Sequence, residues 1–132
     1  MDVLKSDFMK ILIVDDNPDI TSLFSDILDS EGHTAKFVNN PQEGLDLIRQ
    51  EDFSIIFLDI AMPELSGTDI LEKLDKEGLL KTKKIALFTA TPMPTTELES
   101  WKNKGLFGII NKPARLVQIL EMLESVKQVS SD

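Results

Sequence analysis

Cysteine is absent from this 132-residue chain and histidine occurs once. The first absence excludes disulfides, thiolate metal sites and cysteine nucleophiles, and the second excludes a multi-histidine cage, so any metal must be held by oxygen. Long apolar runs are missing too. The longest, such as residues 11–14 and 55–58, fall far short of the ~20 residues that span a bilayer, and no membrane insertion is expected. The N-terminal MDVLKSDFMK contains acids and no extended apolar stretch, so it does not read as a signal peptide, and the expected location is the cytoplasm. Basic residues are in the minority: 14 against 23 acidic ones give a formal net charge of −9. Such a surface repels phosphate backbones and anionic headgroups, which argues against direct DNA binding. Low-complexity segments and internal repeats are also lacking.

What is present is an ordinary globular composition, 42% hydrophobic and 28% charged, at a length suited to one core. Short apolar blocks alternate with longer amphipathic ones. Residues 10–15, KILIVD, carry a continuous apolar run that suits a strand buried on both faces. Asn17 can cap a helix with Pro18 at its first position, and Ile20, Leu23, Phe24, Ile27 and Leu28 recur at helical spacing before Gly32 ends it. Residues 34–39 read as a weaker strand and Pro41–Gln50 as a short helix with Leu45, Leu47 and Ile48 inward. Residues 53–59, FSIIFLD, form the second strongly apolar strand, and the loop IAMPELSG leads to a helix at 68–77 carrying Ile70, Leu71 and Leu74, closed by Gly78. A strand at 84–89, a helix at 95–104 anchored by Leu98 and Trp101, and a strand at 106–110 follow. The final helix, 114–128, sets Leu116, Ile119, Leu120, Leu123 and Val126 on one face. Five strands thus alternate with five helices. Strict alternation implies a doubly wound α/β domain, a parallel sheet covered by helices on both faces, whose site lies at the carboxyl ends of the strands.

Those ends carry Asp15 and Asp16, then Asp59, then Thr89, then Lys112 ahead of Pro113. In the common strand order 2-1-3-4-5 the first and third strands are neighbours, ~4.8 Å apart, so Asp16 and Asp59 can share one cation with Thr89 alongside. Lys112 starts two strands from Asp59, roughly 10 Å on that spacing, a gap its stem can bridge. Three carboxylates and one ammonium leave two excess negative charges, and Mg²⁺ restores neutrality with the hard oxygen ligands it prefers. A carboxylate beside such a metal can act as a nucleophile toward phosphorus. Taken singly, each residue has an ordinary reading, the acids as caps or turn residues, Thr89 as a strand residue, Lys-Pro as a turn. Their meeting at one end of one sheet is what favours chemistry. His33, after Gly32, reads as a solvated turn residue.

DDNPD at the first strand end, FLDIAMPELSG around Asp59, FTA ending at Ala90 and INKPA around Lys112 resemble the receiver domains of two-component response regulators, in order and spacing, over residues 9–128. The resemblance implies a flavodoxin-like sheet of order 2-1-3-4-5, an N-terminal extension at 1–8 and a C-terminal tail at 129–132, with no output domain following, so a stand-alone receiver. It further implies that Asp59 is the phosphoacceptor, that Asp16 and Asp59 ligate Mg²⁺ directly, that Asp15 holds a metal-bound water and that Ala61 offers its backbone carbonyl. Lys112 would pair with the phosphoryl group, Pro113 would follow a cis peptide bond, Thr89 would move to the phosphoryl oxygen, and small Ala90 would leave the acceptor accessible. The implied partners are a sensor histidine kinase or histidine phosphotransfer protein and a downstream protein on the face of the fourth helix, last strand and final helix.

Two departures stand out. The family's aromatic switch position, three residues before the lysine, is Ile109, so coupling through a rotating ring is not available in its usual form. Ala61 and Thr91 occupy the positions that tune hydrolysis of the acyl phosphate, and Ala61 cannot orient a water with its side chain. Pro92 and Pro94 restrict the backbone ahead of the helix at 95–104, which has few apolar anchors and is marginal alone; it is expected to be the mobile output element. A Mg²⁺-dependent aspartyl phosphatase would use similar carboxylates, but DDNPD lacks the acid two residues after the nucleophile that such enzymes usually present. A docking module that is never phosphorylated has no need of the intact acid set. Flavin or nucleotide binding would need a GxGxxG or GxxxxGK loop after a strand, and none is present. The leading expectation is a switch whose turnover is its own modification and not an enzyme with a separate substrate.

Overall fold

Apolar runs without a polar break become the central strands of the computed structural model, which describes residues 8–62 and 67–130. Of the expected N-terminal extension only Phe8 is described; residues 63–66 of the loop after Asp59 and residues 131–132 of the expected tail lie outside the described residues. The elements are β1 (Lys10–Val14), α1 (Pro18–Ser30), β2 (Thr34–Val38), α2 (Pro41–Gln50), β3 (Ile55–Leu58), α3 (Gly67–Lys76), α4 (Leu79–Thr82), β4 (Ile85–Thr89), α5 (Thr95–Asn103), β5 (Gly108–Asn111) and α6 (Leu116–Ser130). The sheet runs β2-β1-β3-β4-β5 with every neighbouring pair parallel, the order expected from the sequence.

Side-chain alternation divides the core into two layers. Leu12, Val14, Ile56, Leu58 and Leu87 face one way and pack with Leu45 and Ile48 of α2, Ile70, Leu71 and Leu74 of α3, Leu80 of α4 and Trp101 of α5. Ile11, Ile13, Ile55, Phe57, Ala86, Phe88 and Ile110 face the other way, toward Phe24 and Leu28 of α1 and Ile119, Leu123 and Val126 of α6. Asn17 and Asn40 cap α1 and α2 through their side-chain oxygens, with Pro at the first turn of each helix, as the sequence signals require.

Three expectations need correction. The described residues contain a sixth helix, the single turn α4, where the sequence pattern suggested only a connection after Gly78. Four residues are too few to show a helical period. Leu116, placed on the buried stripe of the final helix, is 47% exposed, as is its neighbour Val117 at 51%. Side chains in a first turn lean toward the helix N-terminus and gain no cover from a preceding turn of their own helix. His33 is not a free turn residue: it is half-buried and its Nδ1 accepts the Met9 N–H at 3.0 Å.

Candidate functional site

Strand geometry sets which side chains can meet. Val14 and Leu58 point into the α2–α3 layer, so Asp15 and Asp59, each one residue further on, turn to the opposite side. Ile110 packs in the α1–α6 layer, and Lys112, two residues on, shares its side. Asp15 N–H donates to Val38 O at 3.1 Å and Asp59 N–H to Val14 O at 2.9 Å, which carries the parallel ladder up to the two acids. Lys112 N–H likewise donates to Thr89 O at 2.8 Å, and the Lys112–Pro113 peptide is cis, as expected.

Carboxylate oxygens of Asp15, Asp16 and Asp59 all lie within 4.8 Å of one another. Asp15 and Asp59 are 1% and 5% exposed, whereas Asp16 faces solvent. Asp15 Oδ1 accepts the Asn17 N–H at 2.9 Å and its Oδ2 accepts from Lys112 Nζ. Asp59 Oδ1 accepts the Ala61 N–H at 3.0 Å, and its Oδ2 stands 3.5 Å from Lys112 Nζ. The lysine is thus held tightly by Asp15 and loosely by Asp59. Burial raises the Asp15 carboxyl above its ordinary value, opposed by the Lys112 ammonium and the Asn17 N–H and assisted by the Asp59 charge. Thr89 is fully buried, and its Oγ1 accepts the Thr91 N–H at 3.1 Å, which leaves the hydroxyl proton free to donate elsewhere.

Every candidate residue therefore sits at the carboxyl edge of the sheet, and four of them, Asp15, Asp16, Asp59 and Lys112, converge. Two features escaped the sequence reading. Asn39, just after β2, donates through Nδ2 to the Asp15 carbonyl at 2.7 Å and fixes the backbone of the acid pair; its signal was a polar residue ending the strand beside β1. Phe88 lies under Lys112, with the ammonium 5.2 Å from the ring centroid, and is indistinguishable in sequence from core. Three converging carboxylates with no nitrogen or sulfur donor, one of them open to solvent, suit a hard divalent cation such as Mg²⁺.

Comparison with known proteins agrees with this geometry. Residues 11–124 match the family described as the response regulator receiver domain. The polar-differentiation response regulator DivK of Brucella anthropi is 30% identical over 115 residues, spanning 87% of this chain and 93% of that protein. A CheY-like receiver domain protein from Methanospirillum hungatei superposes with a TM-score of 0.79 at 29% identity, covering 94% of this chain and 97% of its own. TrrA from Thermotoga maritima, solved in complex with Mg²⁺ and BeF, gives 0.75 at 28% identity over 89% of this chain and 97% of that one. The chain belongs to the response regulator receiver domain family of two-component signalling.

Proposed function

We propose that Asp59 accepts a phosphoryl group from the phosphohistidine of a sensor histidine kinase or histidine phosphotransfer protein, and that the resulting acyl phosphate switches the domain, residues 9–128, between two signalling states. The observation that carries this reading is the convergence of Asp15, Asp16 and Asp59 with Lys112 bridging two of them. A nucleophilic carboxylate needs nearby positive charge, because the incoming phosphoryl oxygens are themselves anionic.

An Asp59 oxygen attacks phosphorus, the P–N bond to the donor imidazole breaks, and its electron pair leaves with the imidazole. Water later attacks the acyl phosphate to restore the carboxylate and release inorganic phosphate. Asp16 and Asp59 would hold Mg²⁺ directly, Asp15 through water, and Ala61 through its backbone carbonyl; the cation would neutralise charge on the transferring oxygens. Asp15 and Asp59 supply the buried carboxylates, and the Ala61 N–H orients Asp59 through Oδ1. Lys112 moves its ammonium from Asp15 to the phosphoryl oxygens, and the Thr89 hydroxyl donates its proton to one of them. With Ile109 half-buried against the α2–α5 layer, the downstream face of α5, β5 and α6 is read without a rotating ring at that position. TrrA, solved with Mg²⁺ and BeF, supports both the cation and the phosphoryl assignment. The setting is cytoplasmic two-component signalling.

Incubation with acetyl phosphate and Mg²⁺ followed by intact-mass measurement tests this. Wild type gains one phosphoryl group and Asp59→Ala gains none. A wild type that stays unmodified by acetyl phosphate and by a panel of histidine kinases overturns the reading.

A further inference from the structure

Lys112 leaves the end of β5 and must cross β4 to reach Asp59 beyond β3 and Asp15 beyond β1, since the strand order is β1-β3-β4-β5 on that side of the sheet. The β4 residue facing the same layer at that level is Phe88. Its ring lies 5.2 Å from the ammonium, within the range of a cation–π contact, and is itself only 5% exposed. Two further rings hold it. Phe24 of α1 meets Phe88 edge-on at 4.8 Å between centroids with an 80° interplanar angle, and Phe57 of β3 stands at 6.3 Å and 76°. Phe88 is thus a fixed floor beneath the stem of the one cation among the described residues that reaches the acidic cluster.

Packing around this floor is incomplete. A cavity of about 160 Å³ opens beside the ring, lined by Phe24, Ile27, Phe88, Lys112, Ala114 and Ile119. The space is a cleft with mostly apolar walls that is partly open to solvent, and not a sealed void in the core. The Lys112 stem therefore has room to shift beside the fixed ring on the α1–α6 side when the ammonium changes partner.

We propose that Phe88 is a positioning residue for Lys112: its ring face holds the ammonium over the gap between Asp15 and Asp59, and the adjoining cavity lets the stem shift from Asp15 toward a phosphoryl group on Asp59. This rests on the proposed phosphorylation of Asp59. The ring attracts a cation and a Leu of comparable apolar size does not, so the role is separable from packing.

The experiment compares wild type, Phe88→Leu and Phe88→Tyr, each first shown by circular dichroism to be folded. The initial rate of phosphoryl uptake from acetyl phosphate with Mg²⁺ is read by intact mass, and the Lys112 ε-methylene protons by NMR without any phosphoryl donor. Expected are a rate about three- to tenfold lower in Phe88→Leu, the range set by a partly desolvated cation–π contact, recovery to near the wild-type rate in Phe88→Tyr, and loss of the upfield ring-current shift of Lys112 in Phe88→Leu alone. A Phe88→Leu protein modified at the wild-type rate, a Tyr variant as slow as the Leu variant, or a wild-type Lys112 without a ring-current shift overturns the inference while leaving the proposed function standing. A wild type that takes up no phosphoryl group overturns both.

Discussion

At the scale of single residues the acidic site is a place where stability is given up. Asp15, Asp16 and Asp59 repel one another within 4.8 Å, and Lys112 offsets only part of that charge. Removing one of them should therefore relieve the fold, a trade often met at functional sites. With chelator present, Asp16→Asn is expected to be more stable than wild type by roughly 0.5 kcal/mol, the scale of partly exposed charge pairs. Under the proposed Mg²⁺ coordination, added Mg²⁺ is expected to reverse the order, because at about 100 times Kd a ligand that binds only the folded state adds about 2.7 kcal/mol, and the variant would lack one of the proposed metal ligands. Thermal unfolding in EDTA and in Mg²⁺ at fixed ionic strength reads both; an equal Mg²⁺ response in the two proteins defeats the assignment of Asp16. The candidate residues themselves were legible because each ends an apolar run. The Lys112–Asp15 pair and the ring beneath it were not, since only the assembled strand order says which side chains a long lysine crosses.

At the scale of elements, the alternation of apolar runs with amphipathic segments carried the parallel α/β class and every helix of nine residues or more, while the strand order 2-1-3-4-5 came from the family resemblance. What it could not carry is α4. That single turn follows Gly78 and has just one fully buried side chain, Leu80, so its place is set by tertiary contact. Gly105, after α5, supplies part of that contact: its φ is +119°, and a Cβ there would stand 2.6 Å from Lys81 Cα and 2.8 Å from the Leu80 carbonyl oxygen. The backbone of α4 cannot yield as a flexible side chain would. Gly105→Ala should cost about 2 kcal/mol, combining left-handed strain with overpacking, and should lower the urea midpoint while leaving Asp59 phosphorylation intact once folded. A midpoint unchanged from wild type would show that α4 moves aside freely. The neighbouring α5 has the opposite weakness, because its N-cap Pro94 makes no side-chain cap bond and Trp101 is its one buried residue. Its amides are expected to exchange with solvent faster than those of α3, and to change on phosphorylation if α5 is the output element; slow exchange unaffected by phosphorylation would assign output elsewhere.

At the scale of the whole molecule, the amino edge of the sheet carries a pH response of its own. His33 sits at the amino edge, away from the acids, where its Nδ1 accepts the Met9 N–H and helps join the starts of β1 and β2. Burial first, and then Lys127 near the end of α6, hold the imidazole below its ordinary value of 6.5, with Glu31 pulling weakly the other way. The unfolded chain therefore binds this proton before the folded one does. Stability from the neutral ring is complete above the unfolded value and is lost as pH falls through it toward the folded value. The remaining charge acts in the opposite sense, since a net charge of −9 shrinks on acidification and its self-repulsion relaxes. Wild type alone would mix the two effects. His33→Gln carries the same charge at neutral pH and cannot titrate, so the difference between the two proteins isolates the histidine. Between about pH 7.5 and about pH 5.5, wild type should lose up to about 1 kcal/mol more than the variant, the worth of one hydrogen bond whose acceptor is protonated away. Urea unfolding of both proteins at the two pH values in EDTA gives that difference directly, and a difference of zero or of the opposite sign would mean that the folded state carries the His33 proton at least as readily as the unfolded chain does.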